Sequence, residues 1–173
     1  MEQKNKDFMN KNFQAYSFFV STLGMSNIFQ KFLQNLLKKG KKKTAQSILL
    51  KTITQVEKME PRVPAFVVFE KALSNIQPSF EFKRARVGGM YQMIPGAKEP
   101  TKQQKLAIRW ILELAKQKQR KTKLLKTQNY SFEYFLANEL VASYKNESEL
   151  KQKKLEIHKL AESNRALAYQ RWW

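Results

Sequence analysis

FEFKRARVGGMYQMIPG, residues 80–96, is where the chain changes period. Phe80, Phe82, Arg84 and Arg86 fall on one side of an extended strand, and Glu81, Lys83, Ala85 and Val87 on the other, because successive side chains of a strand point to opposite faces. Gly88-Gly89 breaks the alternation where two positive-φ residues would close a hairpin, and Pro95-Gly96 ends the return strand. The stretch predicts a two-stranded arm over about 79–96. A lone ribbon is barely stable, so its base, with Phe80 and Phe82, leans on helices while its basic tip reaches outward.

On both sides of the arm the spacing is helical. Ser26 caps a first helix with Ile28, Phe29, Phe32, Leu33, Leu36 and Leu37 on one face; Lys38 and Lys39 suit its C-terminus and Gly40 the left-handed residue beyond. A second helix runs from about Lys42 to Lys58 with Ala45, Ile48, Leu49, Ile53 and Val56 inside. Pro64 opens a third, striped by Phe66, Phe69, Leu73 and Ile76, and Pro78 stops it. Past the arm, Thr101 caps a fourth helix that buries Leu106, Ala107, Trp110, Ile111, Leu114 and Ala115, with Lys102, Lys105, Arg109 and Lys116 on the opposite stripe. Gln119–Asn129 reads as an irregular basic linker, and a fifth helix carries Phe132, Phe135, Leu136 and Leu140. The last helix runs from about Glu147 to Tyr169 with Leu150, Ile157, Leu160, Ala161, Asn164 and Ala168 inward. The expected fold is mainly α: a bundle of about six helices with one protruding two-stranded β-hairpin arm, forming a single domain over 26–173. Residues 1–25 show no clean period and read as a peripheral N-terminal extension.

Composition bounds the function. The chain has 173 residues, the length of one ordinary domain, and 33 Lys plus Arg against 14 Asp plus Glu, a net charge of 33 − 14 = +19. Such a field attracts polyanions and would repel itself unneutralised. With no cysteine, disulfides, thiolate catalysis and cysteine zinc sites are excluded. His158 is the lone histidine, so no histidine cluster is available for a metal. The run KKGKKKT, Lys38–Thr44, lacks the glycine and the hydroxyl residue of a phosphate loop, since Asn35 and Lys42 stand in their places. No cofactor, small-molecule substrate or catalysis is expected. The most apolar stretch, Tyr16–Met25, is far below the roughly 18 residues of a membrane span. Residues 1–12 hold Glu2 and Asp7 and no arginine, unlike a secretory signal or an Arg-rich transit peptide.

The basic residues fall into groups: Lys38, Lys39, Lys41, Lys42 and Lys43 at a helix–helix turn; Lys102, Lys105 and Arg109 along the fourth helix; Lys151, Lys154 and Arg165 along the last; Lys83, Arg84 and Arg86 on the arm. Lysines supply sequence-blind attraction to phosphate. Arginines fork and stack, and they gather in the arm and at the C-terminus, with Arg171 near the end. Shaped RNA fits this better than base-by-base reading of DNA. A DNA-binding regulator would need a dimer seam, and no heptad seam is present. A peripheral membrane protein would need an exposed amphipathic helix, for which residues 13–29 are the one candidate. His158 shares a flank with Lys151, Lys154 and Arg165 and reads as a partly exposed surface histidine.

HKLAESNRALAYQRWW, His158–Trp173, resembles the ending of the small-subunit ribosomal protein seven family. RARVGGMYQMIP (84–95) is similar to that family's hairpin, KLAIRWILELA (105–115) to its fourth helix, and FLQNLLKKGKKKTAQSILL (32–50) to its first helix, basic turn and second helix. The order agrees from about Ser26 to the end. The resemblance implies a structural protein of the small-subunit head, with six helices and a hairpin arm. It implies binding to the 3′ major domain of small-subunit rRNA, nucleation of head assembly, and contact with small-subunit protein eleven and other head proteins. It also implies an arm near the exit-site tRNA and the mRNA path. By position, Lys38–Lys43, the arm residues Lys83, Arg84, Arg86, Gly88, Gly89, Tyr91 and Gln92, and the last helix with Arg165 fall where that family meets RNA or neighbours. Tyr91 stands two residues past Gly89, where bacterial members place it three past, and the segment from Gln117 to Asn129 is longer than theirs. Trp172-Trp173, AIRWILE (107–113) and SFEYFLANELVASY (131–144) are most similar to mitochondrial members. The implied location is the mitochondrial ribosome, with another organelle or the bacterial cytoplasm as the alternative. Trp172 and Trp173 are expected to anchor the terminus.

Overall fold

The computed structural model describes residues 26–125 and 130–170. The expected N-terminal extension, Arg171, Trp172, Trp173 and the end of the basic linker lie outside them. In chain order come α1 (Ser26–Leu36), α2 (Lys42–Met59), α3 (Ala65–Ile76), β1 (Phe80–Val87), β2 (Met90–Ala97), α4 (Pro100–Leu124), α5 (Phe132–Tyr144), α6 (Glu149–Ser163) and a 3₁₀ turn (Arg165–Gln170). The mainly α bundle with a hairpin arm is what the two sequence periods require.

The bundle is built around α5. Leu136, Ala137 and Leu140 are fully buried, and the helix packs on α2, α3 and α4 at once. It carries no one-sided stripe because it meets protein on most of its circumference. Phe32 of α1 meets Phe69 of α3 edge-on, with ring centroids 5.0 Å apart, and Ile108 and Ile111 of α4 complete the centre. Burying such side chains contributes roughly 1.5–3 kcal/mol each.

One carboxylate lies inside this core. Glu139 is buried, and its two oxygens are separately satisfied: Lys118 Nζ donates to one at 2.7 Å and Ser148 Oγ donates to the other. Ser148 Oγ in turn caps α6 by accepting from the Leu150 N–H at 3.1 Å. The network pins the start of α6 to α4 and α5. A buried carboxylate is tolerable only with partners of this kind.

Several expected boundaries move. Thr101 is not the cap of α4: Glu99 occupies that position, Pro100 fills the first turn, and Thr101 Oγ1 donates to Glu99 Oε1 at 2.9 Å. The helix also continues through the first part of the expected linker, to Leu124. Residues 116–124 are straight-chain Lys, Gln and Arg with one Thr and one Leu; most have good helix propensity, but beyond Ala115 there is no apolar stripe to reveal it. The last helix is shorter than expected. It begins after Ser148 and ends at Ser163, where Asn164 (φ −97°, ψ 13°) leads into the 3₁₀ turn. The change of pitch turns Ala168 outward, and Leu160 is likewise exposed instead of inward. Pro95 does not end β2; it pairs with Phe82 inside the ribbon and is buried. Counting from the turn, where Val87 and Met90 form the closing hydrogen-bonded pair, Phe82 and Pro95 fall at a non-hydrogen-bonded pair, so the missing N–H faces away from the partner strand and costs no ladder bond. Among the described residues no helix is long and apolar enough to cross a membrane.

Candidate nucleic-acid interface

The turn between α1 and α2 is made of lysines by geometry as well as by sequence. Lys39 (φ 51°) and Gly40 (φ 72°) are both left-handed, which reverses the chain within a few residues. Lys41 N–H donates to Lys38 O at 3.1 Å and Lys42 N–H to Gly40 O at 2.8 Å. The result displays Lys38, Lys39, Lys41, Lys42 and Lys43, all exposed, around the N-terminus of the 18-residue α2. No acidic residue stands in the first turn of α2, and among the described residues none of the five is in an ion pair. Ammonium groups and the positive end of a helix dipole therefore reinforce each other there.

The stripe on α4 carries further cations. Lys105 and Arg109 are exposed, while Lys102 is paired with Glu99 at 3.3 Å. Further along, Lys116 is half-buried, and its pKa is lowered first by burial, then by the charge of Lys38, with Arg120 adding to the effect and Glu113 opposing it. Lys38 from the α1–α2 turn and Arg120 one helical turn along α4 both act on Lys116, so positive charge from two elements bears on one ammonium group, a repulsion that an anion placed there would relieve. Arg120 falls in the expected basic linker and is not among the expected RNA contacts. It sits eleven residues past Arg109 on the same helical stripe, and a helix carried past Lys118 would have found it.

The arm is a regular antiparallel ribbon. Val87 pairs with Met90, Arg86 with Tyr91, Arg84 with Met93, Lys83 with Ile94 and Phe82 with Pro95. Gly88 (φ 57°) and Gly89 (φ 88°) form the turn, both in the conformation only glycine adopts freely. Lys83, Arg84, Arg86 and Tyr91 are exposed, and Gln92 is half-buried. The Arg84 guanidinium lies over the Tyr91 ring, 4.4 Å from its centroid. The root is held by more than the two expected phenylalanines, of which Phe82 is half-buried and Phe80 meets His158 of α6. Ile94 and Pro95 are buried, whereas Phe80 is 39% exposed.

His158 is a part of that root. Its Nε2 accepts the Ser79 N–H at 3.2 Å, and its ring meets Phe80 edge-on at 5.3 Å. Its pKa is lowered, first by burial and then by the charge of Lys154, which keeps the neutral acceptor form. Lys98 Nζ adds an ion pair to Glu81 at 3.1 Å. The remaining expected RNA contacts on α6 divide. Lys151 is exposed, but Lys154 Nζ donates to Asn75 O at 2.9 Å near the end of α3, where a cation satisfies a free helix carbonyl. Arg165 is exposed at the start of the 3₁₀ turn. The arrangement therefore has two cationic regions, the turn with the α4 stripe, and the arm with the end of α6.

Residues 4–165 match the family described as ribosomal protein S7p/S5e. The chain belongs to that family. It is similar to the small ribosomal subunit protein uS7 of Phytoplasma mali (strain AT), at 33% identity over 147 residues, 85% of this chain and 88% of the relative. It is also similar to the proteins of that name from Roseobacter denitrificans, at 35% over 145 residues (84% and 86%), and Campylobacter concisus, at 35% over 147 residues (85% and 88%). The S7p/S5e match begins upstream of Ser26, where the resemblance read from the sequence started, and includes the basic turn, the arm, the α4 stripe and α6. S7p/S5e proteins are structural parts of the ribosome, and this chain is not an enzyme.

Proposed function

We propose that this chain is the S7p/S5e protein of a small ribosomal subunit, that it binds the 3′ major domain of small-subunit rRNA, and that it nucleates the head. The observation that carries the reading is the turn of five exposed lysines around the N-terminus of α2, with no acidic residue in its first turn, inside the region that matches the family. Lys38, Lys39, Lys41, Lys42, Lys43, Lys105 and Arg109 contact phosphates of the main site. The arm, with Lys83, Arg84, Arg86, Gly88, Gly89, Tyr91 and Gln92, extends toward exit-site tRNA and the mRNA path. Lys151, Arg165 and Arg171 face RNA or head neighbours, protein eleven among them. Residues 26–173 act as one RNA-binding unit with 1–25 at its periphery. The similarity of Trp172-Trp173, residues 107–113 and residues 131–144 to mitochondrial members favours a mitochondrial ribosome.

The test is binding to a transcript of the 3′ major domain across a salt series. Each neutralised phosphate contributes a log–log slope of about −0.7 to −0.9. A steep slope is expected, and replacing the five turn lysines by Gln should flatten it by several such steps. An affinity that barely changes from low to physiological salt would refute the polyphosphate surface.

A further inference from the structure

We propose that the arm tip is a stacking platform for one unpaired nucleobase, with Tyr91 as the ring on which the base lies and Arg84 as the group that presets that ring. This rests on the RNA reading above and names a different ligand chemistry for the arm, a base face instead of phosphate alone. The register puts the pair in place. Arg84 is opposite Met93 and Arg86 is opposite Tyr91, so Arg84 and Tyr91 are diagonal neighbours on one face of the ribbon, within reach of long side chains. The guanidinium carbon lies 4.4 Å from the ring centroid, yet Tyr91 remains 64% exposed and Met93 beside it 48%.

An aromatic held this far from any core gains little from burial. A phosphate contact does not require it either, since ammonium groups on flexible stems serve that purpose. What the contact does is order the ring before a ligand arrives, which lowers the entropy lost on binding. Unpaired bases are captured on aromatic rings and guanidinium planes, whereas the bases of an A-form duplex are already stacked. Arg86, directly opposite Tyr91, is placed for the phosphate of the same nucleotide. A protein partner fits less well. It would have to bring carboxylates to Arg84 and Arg86, drawing Arg84 off its ring. The segment 83–93 has no acidic residue of its own, and Glu81 at the root is tied to Lys98.

The experiment uses the full chain and a single-stranded RNA of about eight nucleotides carrying one 2-aminopurine, beside the 3′ major domain transcript. Stacking on Tyr91 should change the emission of the probe. Tyr91→Ala should abolish that change and weaken oligonucleotide binding about tenfold, the loss of one stacked base. Its salt slope should stay the same, because no phosphate contact is removed. Tyr91→Trp should restore both signals. An unchanged emission response in Tyr91→Ala, or a loss expressed as a shallower salt slope, overturns the proposal while leaving transcript binding intact. Failure of the wild-type chain to bind the transcript overturns the RNA reading itself, and this proposal with it. If Tyr91→Ala keeps the oligonucleotide but releases a neighbouring protein from assembled subunits, the tip is a protein contact and the proposal is wrong.

Discussion

His158 shows how a single side chain can be placed by its neighbours in a way its own sequence position does not reveal. Its flank on α6 is basic, which suggested a surface group, but the Ser79 N–H and the Phe80 ring come from across the fold. Because its folded pKa lies below the ordinary value, the unfolded chain takes up the proton first as the pH falls. The stability this contact contributes is therefore complete above about pH 6.5 and declines below it. Gln at this position keeps a neutral acceptor. His158→Gln should enter ribosomes near normally, and its unfolding free energy measured from pH 8 to pH 5 should fall less than that of the wild type. A steeper acid loss in the variant would show that the histidine is not held neutral in the fold.

At the scale of the element, the arm divides into a root that belongs to the bundle and a tip that does not. Ile94, Pro95 and the Ser79–His158 contact lie on the root side; Lys83 to Met93 lie beyond it. Replacing Lys83–Met93 by a short Gly-containing turn should leave the helices folded, with a melting midpoint within about 5 °C of the parent, a shift worth no more than roughly 1–2 kcal/mol. Transcript binding should weaken but persist. Ribosomes carrying the variant should lose exit-site tRNA retention or reading-frame maintenance. Unfolding of the shortened chain would make the arm part of the core; normal retention and frame would leave its tip without a role. The existence of this element was legible because alternation and Gly-Gly depend only on neighbouring residues. Phe80 and Phe82 were legible at its root, but the deeper burial of Ile94 was not, since that depends on how the ribbon lies against α6 and the 3₁₀ turn. In the same way, α1–α3 could be read from apolar stripes, while the end of α4 had no stripe and the break at Asn164 followed a pattern that a continuous helix would also satisfy. Glu139 was missed because a buried carboxylate is recognised by its partners, and Lys118 and Ser148 come from other elements.

For the whole molecule, a net charge of +19 on 173 residues already pointed to a polyanion. Composition could not say where the charge gathers. Folding brings the charge of Lys38 to bear on Lys116 of α4, and it diverts some cations to internal work: Lys118 to Glu139, Lys154 to Asn75, Lys98 to Glu81. Among the cations left exposed are the five lysines of the turn, Lys105 and Arg109 on the stripe, and Lys83, Arg84 and Arg86 on the arm. A small-subunit rRNA protein requires such surfaces, whereas a free-standing regulator would need a symmetric pair of them. The most direct measurement is sedimentation of the tagged chain from its own cells on a sucrose gradient in magnesium buffer. The account predicts that it travels with small subunits and assembled ribosomes, and that small subunits made without it lack a formed head. A chain that stays at the top of the gradient, or small subunits that assemble a complete head in its absence, would contradict it.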